Sequence, residues 1–114
     1  MVFLTNAFSI NMLEDTSSVR FVKISAAGAV EFIRTAIESN DLTNCIGHAD
    51  TNHIVSGILG IDVGEGQRVS VKLTAQDICI VAQYTGPRLP EGATMLPEGA
   101  KIEFWHVHIV SLEA

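Results

Sequence analysis

The chain has 114 residues, a formal net charge of −6 and 47% hydrophobic residues, with a mean hydropathy of +0.32. This composition is typical of a single globular domain over residues 1–114 and excludes a disordered chain. The negative charge argues against binding of long nucleic acids, which depends on many lysine and arginine contacts. The sequence shows neither a secretory signal nor an apolar run of the roughly 20 residues that cross a bilayer, so we expect a cytoplasmic protein without a membrane partner.

The first half of the chain alternates between strand and helix patterns. Residues 2–5 are apolar and predict a short buried strand, and residues 6–11 predict a loop or single turn. Residues 19–25 predict a second strand. Apolar residues then recur with helical spacing over residues 26–37, with charged residues on the other side, which predicts an amphipathic helix.

A second helix pattern starts after Asn44-Cys45-Ile46-Gly47-His48 and ends at Gly60, a typical helix-terminating glycine. Gly47 and His48 are therefore expected at a helix N-terminus, where free backbone N–H groups and the helix dipole favour a phosphate. A histidine there adds a group that gains a proton near neutral pH. On this spacing alone, a turn glycine and a capping histidine remain the alternative.

The second half of the chain predicts three more strands. Val69, Val71 and Leu73 alternate with polar residues, which is typical of a half-buried strand, and residues 74–77 have the length of a hairpin loop. Residues 78–82 are continuously apolar and predict a central strand covered on both faces. Residues 102–110 predict the last strand. The expected fold is therefore α/β, a mixed sheet of about five strands flanked by helices, with the order β, β, α, α, β, β, β.

Several polar residues remain open to functional or structural interpretations. Residues 83–99 form a long loop that holds Arg88 and Glu91 between prolines, and loops of this length are often functional. Asn6 and Ser9 either face a ligand or bond their own backbone in a turn. His106 and His108 face one side of the last strand, near the sheet rim or a dimer face. His53 is five residues beyond His48 and is expected at the surface.

The spacing of the cysteines and histidines in the sequence does not match a metal site, so we predict no cofactor. Cys45 and Cys79 lie in different predicted elements without metal-ligand spacing, so we expect reduced thiols. No third ligand is evident beside His106 and His108. We predict that the protein contains no metal.

Four stretches of the sequence carry a resemblance to a known family. They are Leu4-Thr5-Asn6-Ala7-Phe8-Ser9-Ile10-Asn11-Met12-Leu13, Ile46-Gly47-His48-Ala49-Asp50-Thr51, Arg68-Val69-Ser70-Val71-Lys72-Leu73 and Gly86-Pro87-Arg88-Leu89-Pro90-Glu91-Gly92. In this order and spacing the chain resembles the viral anti-CRISPR ring nucleases, which have CRISPR-associated and phage relatives. That family degrades cyclic tetraadenylate, the second messenger of type III CRISPR systems. The resemblance implies a homodimer in the host cytoplasm, with this ligand across the dimer axis.

The resemblance also implies a role for particular residues. His48 is the expected general acid, and Arg88 binds and polarises the scissile phosphate. Asn6, Ser9 and Gly47 line the ligand, and Arg68 anchors a phosphate or base. Glu91 lies near the site, where it orients the attacking 2′-hydroxyl or another residue.

Two alternative functions stay open. Cys45 stands where the family has a small polar residue, which raises the possibility of a thiol hydrolase with Cys45 as nucleophile and His48 as base. Against it, a catalytic cysteine usually occupies the helix start itself. The second alternative is a non-catalytic module that binds and sequesters a cyclic oligonucleotide.

Overall fold

The computed structural model describes residues 1–14 and 17–110, and five strands and two α-helices lie within these residues. The elements are β1 (Val2–Thr5), β2 (Ser18–Ile24), α1 (Ala26–Glu38), β3 (Leu42–Asn44), α2 (Ala49–Leu59), β4 (Ile78–Thr85) and β5 (Lys101–Val110). A single 3-10 turn covers Ile10–Met12. Within the described residues, no helix is both long and apolar enough for a membrane span.

The strands form one mixed sheet in the order β2-β5-β4-β1-β3. β1 pairs in parallel with both β3 and β4, whereas β5 is antiparallel to β2 and β4. The predicted α/β fold with a mixed sheet is therefore confirmed. β4 occupies the centre of the sheet, as its continuous apolar run predicted.

The two faces of the sheet are covered by different kinds of structure. Helices α1 and α2 cover one face, where Ile33 and Val55 pack against Leu4, Ile80 and Phe104. On the other face, Val71 and Leu73 of the segment 61–77 pack against the sheet, in a second core that also contains Cys79, Val81 and Val107. The sheet is thus the middle layer of the domain, with its central strand β4 buried over Cys79–Ala82, whereas the edge strand β2 is largely exposed.

The strand predicted for Val69–Leu73 is wrong. The structure describes residues 61–77 without a strand, although Leu73 is 1% exposed. Its side chain packs on the sheet, and its N–H donates to the carbonyl of Met12 over 2.8 Å rather than to a sheet partner. The apolar residues therefore alternate because their side chains pack on the face of the sheet, and not because the segment is one of its strands.

The fifth strand is β3, which the sequence did not predict. Its three residues pair with Val2, Phe3 and Leu4, and a strand of this length is too short to show alternation. The hairpin loop predicted at residues 74–77 is consequently wrong as well. That turn is closed by the Asp77 N–H, which donates to the Thr74 carbonyl over 3.0 Å.

Two further predictions change at β4 and β5. The long loop begins at Gly86 rather than Gln83, because β4 continues to pair with β5 as far as Thr85. His106 and His108 lie in β5, which has β2 on one side and β4 on the other. The two histidines are therefore inside the sheet and not at its rim.

Candidate functional site

The predicted helix start at Gly47 and His48 is confirmed. His48 is the N-cap residue of α2, and within the described chain its side chain makes no capping hydrogen bond. Its carbonyl accepts the N–H of Asn52 over 2.9 Å. The imidazole is consequently available for other contacts, and the first N–H groups of α2 have no partner within the helix itself.

Asn44 fixes the turn between β3 and α2. It is 7% exposed, and its Oδ1 accepts the N–H of Ile46 over 3.0 Å. Its Nδ2 donates to Oδ1 of Asn52 over 2.7 Å and to the carbonyl of Gly64 over 3.2 Å. One buried amide thus connects a strand, a helix and the irregular segment 61–77. The role of Asn44 could not be predicted from the sequence, because the bond to Gly64 joins residues that are 20 positions apart.

Arg68 reaches the helix start through a close approach of two backbone segments. A Cβ atom at Gly66 would lie 1.8 Å from the carbonyl oxygen of Ile46, so only glycine fits there. Nε of Arg68 then donates to the carbonyl of Gly47 over 3.5 Å. Backbone packing, and not the predicted strand register, places this arginine.

One pocket brings four of the predicted site residues together. It has a volume of about 490 Å³, and its lining includes Asn6, Gly47, His48 and Arg68; we call it the Arg68 pocket. Asn6 follows β1, and Gly47 and His48 follow the parallel strand β3. The carboxyl ends of parallel strands meet at one edge of a sheet, which is where α/β proteins place ligands.

A second pocket contains Arg88 and Glu91, the two charged residues of the predicted site that do not line the Arg68 pocket. It has a volume of about 760 Å³, and its lining includes His48, Asp50, Tyr84, Arg88 and Glu91; we call it the Arg88 pocket. Of the described residues, His48 alone lines both pockets. The histidine therefore stands between two sites, each with one arginine.

A larger cavity lies along α2. It has a volume of about 870 Å³ and includes Gly47, His53, Asp62 and Glu65 in its lining. Among the described residues that line it, there is neither lysine nor arginine. Its carboxylates disfavour an anion, so the two pockets at His48 are better candidates for phosphate binding.

The Ser9 side chain makes the hydrogen bond within a turn that one of its two interpretations predicted. It caps the 3-10 turn, and its hydroxyl accepts the N–H of Asn11 over 3.2 Å. Within the described chain, Ser9 lies outside the lining of both pockets. The structure therefore places Asn6, but not Ser9, beside His48.

The two cysteine thiols are poorly suited to nucleophilic attack. Cys45 lines the Arg68 pocket, and burial raises the pKa of its thiol. Burial, with a smaller contribution from Cys45, raises the pKa of Cys79 to about 12. A thiol hydrolase needs a lowered cysteine pKa, so this alternative is disfavoured. In residues 1–14 and 17–110 no three His, Cys, Asp or Glu side chains are grouped as metal ligands.

The chain is similar to known proteins both in sequence and in fold. Residues 2–104 match the STIV B116-like family. The chain belongs to this family. The structure is similar to that of B116 of Sulfolobus turreted icosahedral virus, with a TM-score of 0.81, 32% sequence identity and coverage of 94% of this chain and 97% of B116. Among curated proteins, none matches the chain. The predicted relationship to a viral protein family is thereby confirmed.

Proposed function

We propose that this member of the STIV B116-like family is a metal-independent ring nuclease. In this proposal, it cleaves cyclic tetraadenylate, the second messenger of type III CRISPR systems, and so suppresses antiviral defence. The observation that carries the proposal is the position of His48 between two pockets that each contain an arginine. The choice of ligand rests on the sequence resemblance, and the arrangement of His48 and the two arginines is suited to a phosphodiester.

The chemistry proposed is an internal transesterification. The 2′-hydroxyl gives its proton to water and its oxygen bonds to the adjacent phosphorus, while the bond from phosphorus to the 5′-oxygen breaks. His48 donates a proton to that leaving oxygen, which becomes a 5′-hydroxyl. The linear product ends in a 2′,3′-cyclic phosphate. A positioned proton donor contributes about 10²–10⁴-fold to such a step.

The two arginines would bind the phosphates. Arg88 shares a pocket with His48 and Glu91, so it would polarise the scissile phosphate and stabilise charge that develops on it. Arg68 would hold a neighbouring phosphate or base from the other side of His48. Glu91 would orient the attacking hydroxyl or a neighbouring side chain.

The net charge of the chain supports a dimeric site. A chain with a formal net charge of −6 presents few cations to a ligand with four phosphates. Two copies related by a two-fold axis would double the arginines that face it. We therefore propose a homodimer, which light scattering at micromolar concentration tests; a monomer whose activity is independent of dilution would contradict it.

The decisive experiment measures single-turnover cleavage and equilibrium binding of cyclic tetraadenylate in EDTA, together with rings of other sizes. Wild-type protein should convert the ligand quantitatively, whereas a sequestering module would bind it and return it intact. Loss of cleavage in EDTA, with recovery on addition of Mg²⁺ or Mn²⁺, would contradict the metal-independent mechanism. The products, followed by chromatography, should carry 2′,3′-cyclic phosphates.

Three variants separate the proposed roles. His48→Ala should lose orders of magnitude in turnover with little change in affinity, because the proton is needed mainly in the transition state. Arg88→Ala should lose both, since the arginine meets phosphate before and during the reaction. His53→Ala, which removes an exposed histidine of the same helix, is the control and should cleave like wild type. If His48→Ala cleaves normally, the acid lies elsewhere.

A further inference from the structure

The segment that carries Arg88 is held at both ends by residues to which the proposed chemistry gives no role. Near its start, the hydroxyl of Tyr84 donates to the carbonyl of Pro87. At its end, the N–H of Gly92 donates to Oδ2 of Asp50 over 2.9 Å. Both Asp50 and Tyr84 line the Arg88 pocket. We call residues 87–92 the Arg88 segment.

The two contacts connect the loop to the elements that build the site. Tyr84 belongs to the central strand β4, and Asp50 belongs to the first turn of α2. Asp50 and Gly92 are 42 residues apart in sequence, so their hydrogen bond closes a long connection. A carboxylate acceptor makes this kind of bond roughly twice as strong as a neutral one.

The backbone between the two contacts has little freedom of its own. Pro87 and Pro90 fix their φ angles. Gly86 precedes them with φ +147°, and a Cβ atom there would lie 2.7 Å from Cβ of Ala100. Fixing both ends of such a segment consequently fixes the direction from which Arg88 enters the pocket.

The presence of Asp50 also needs a physical explanation, because a carboxylate that lines a phosphate pocket opposes the ligand. At the start of α2 the helix dipole stabilises its charge. Its Oδ2 faces the Gly92 N–H. A positioning role accounts for an acidic residue that ligand binding alone would disfavour.

We propose that Asp50 and Tyr84 are positioning residues, which hold the Arg88 segment against the start of α2 so that Arg88 faces the same pocket as His48. The consequence for cleavage rests on the proposed function. The contacts themselves do not, so they can be tested in the free protein.

The experiment compares Asp50→Ala, Asp50→Asn and Tyr84→Phe with wild type. Hydrogen exchange of residues 86–92 in the free protein is the first measurement. Asp50→Ala should speed exchange of the Gly92 amide at least about tenfold, because each 1.4 kcal/mol lost changes a local opening equilibrium by that factor. Asp50→Asn keeps an oxygen acceptor and should retain most of the protection. Tyr84→Phe frees the other end of the same segment and should also speed exchange of the Gly92 amide. The α1 amides, which take part in neither of these contacts, should be unchanged in all three.

The second measurement is binding and single-turnover cleavage of cyclic tetraadenylate. Asp50→Ala should lower the turnover at saturating ligand by about 10²-fold, the effect of a misplacement of about 1 Å, and Asp50→Asn should recover most of it. If both variants instead bind more tightly and cleave normally, Asp50 acts only by charge and the proposal is wrong. Unchanged exchange in Asp50→Ala would also overturn it. If wild type cleaves nothing, the proposed function fails, and the exchange data still decide whether the segment is held.

Discussion

A Cβ atom added to Gly47 would lie 2.8 Å from Cγ of Arg68 and 3.0 Å from its Nε. The arginine side chain therefore crosses directly over the backbone at the helix start. This contact gives Gly47 a role that a turn glycine does not have, since the missing side chain makes room for a cation. The glycine and the arginine are expected to act as one unit.

The first prediction is that Gly47→Ala weakens binding of cyclic tetraadenylate in the same way as Arg68→Ala. The added methyl group displaces the arginine, whose flexible side chain can move, so the free energy of unfolding should change by less than about 1 kcal/mol. Calorimetric titration and urea unfolding measure the two effects. The double variant should bind no worse than Arg68→Ala; additive losses would show that the residues act independently.

The fold could be predicted wherever the sequence pattern is long and regular. Both helices, the helix start at His48 and the central position of β4 follow from apolar periodicity and capping signals. The errors lie where the hydropathy pattern does not correspond to strand pairing. Residues 69–73 alternate because Val71 and Leu73 pack on the sheet, whereas β3 has three residues and no readable pattern.

The site could be predicted only in part. The helix start at Gly47 and His48 follows from local signals, and the resemblance adds Asn6, Arg68 and Arg88. The roles of Asn44 and Asp50 could not be predicted, because each depends on hydrogen bonds between segments that are distant in sequence. Such contacts leave no periodic signal.

The second prediction tests the corrected structure of residues 61–77. Leu73 is 1% exposed and belongs to the second core, so Leu73→Ala should lower the free energy of unfolding by about 2–5 kcal/mol. Val69, four residues earlier, is 47% exposed, and Val69→Ala should cost less than about 1 kcal/mol. Urea unfolding of both variants provides the comparison. Equal costs would mean that the segment does not pack on the sheet as described.

The third prediction concerns Cys45. Because burial raises the pKa of its thiol, little thiolate exists near neutral pH and a nucleophilic role is disfavoured. Cys45→Ala should keep single-turnover cleavage within about tenfold of wild type, far above His48→Ala. Loss of cleavage as complete as in His48→Ala, together with a covalent adduct detected by mass spectrometry in wild type, would favour the thiol hydrolase instead.

The last prediction concerns pH and His106. Burial, and then the nearby His108, lower the pKa of His106 below its usual value of 6.5. The ring of Phe32 lies 4.8 Å from that of His106, and within the described chain Nδ1 of His108 is buried without a hydrogen-bond partner. Protonation is therefore easier in the unfolded chain than in the folded protein.

The sign of the effect follows from this difference. Below about pH 6.5 the unfolded state binds more protons at this position, so the free energy of unfolding should fall as the pH falls, and the contribution is fully present only above that value.

His106→Phe removes the titrating group and keeps a ring beside Phe32. The decrease in unfolding free energy between about pH 7.5 and about pH 5.5, measured in urea, should be smaller in His106→Phe than in wild type. The exposed His53 provides the control, and His53→Ala should keep the wild-type decrease. Glu103 does not contribute to the decrease over this pH range. Lys23 and Lys101 lower the pKa of its carboxylate from 4.5, so its stabilisation is lost only at lower pH. An equal decrease in His106→Phe and wild type would show that another group carries the pH dependence.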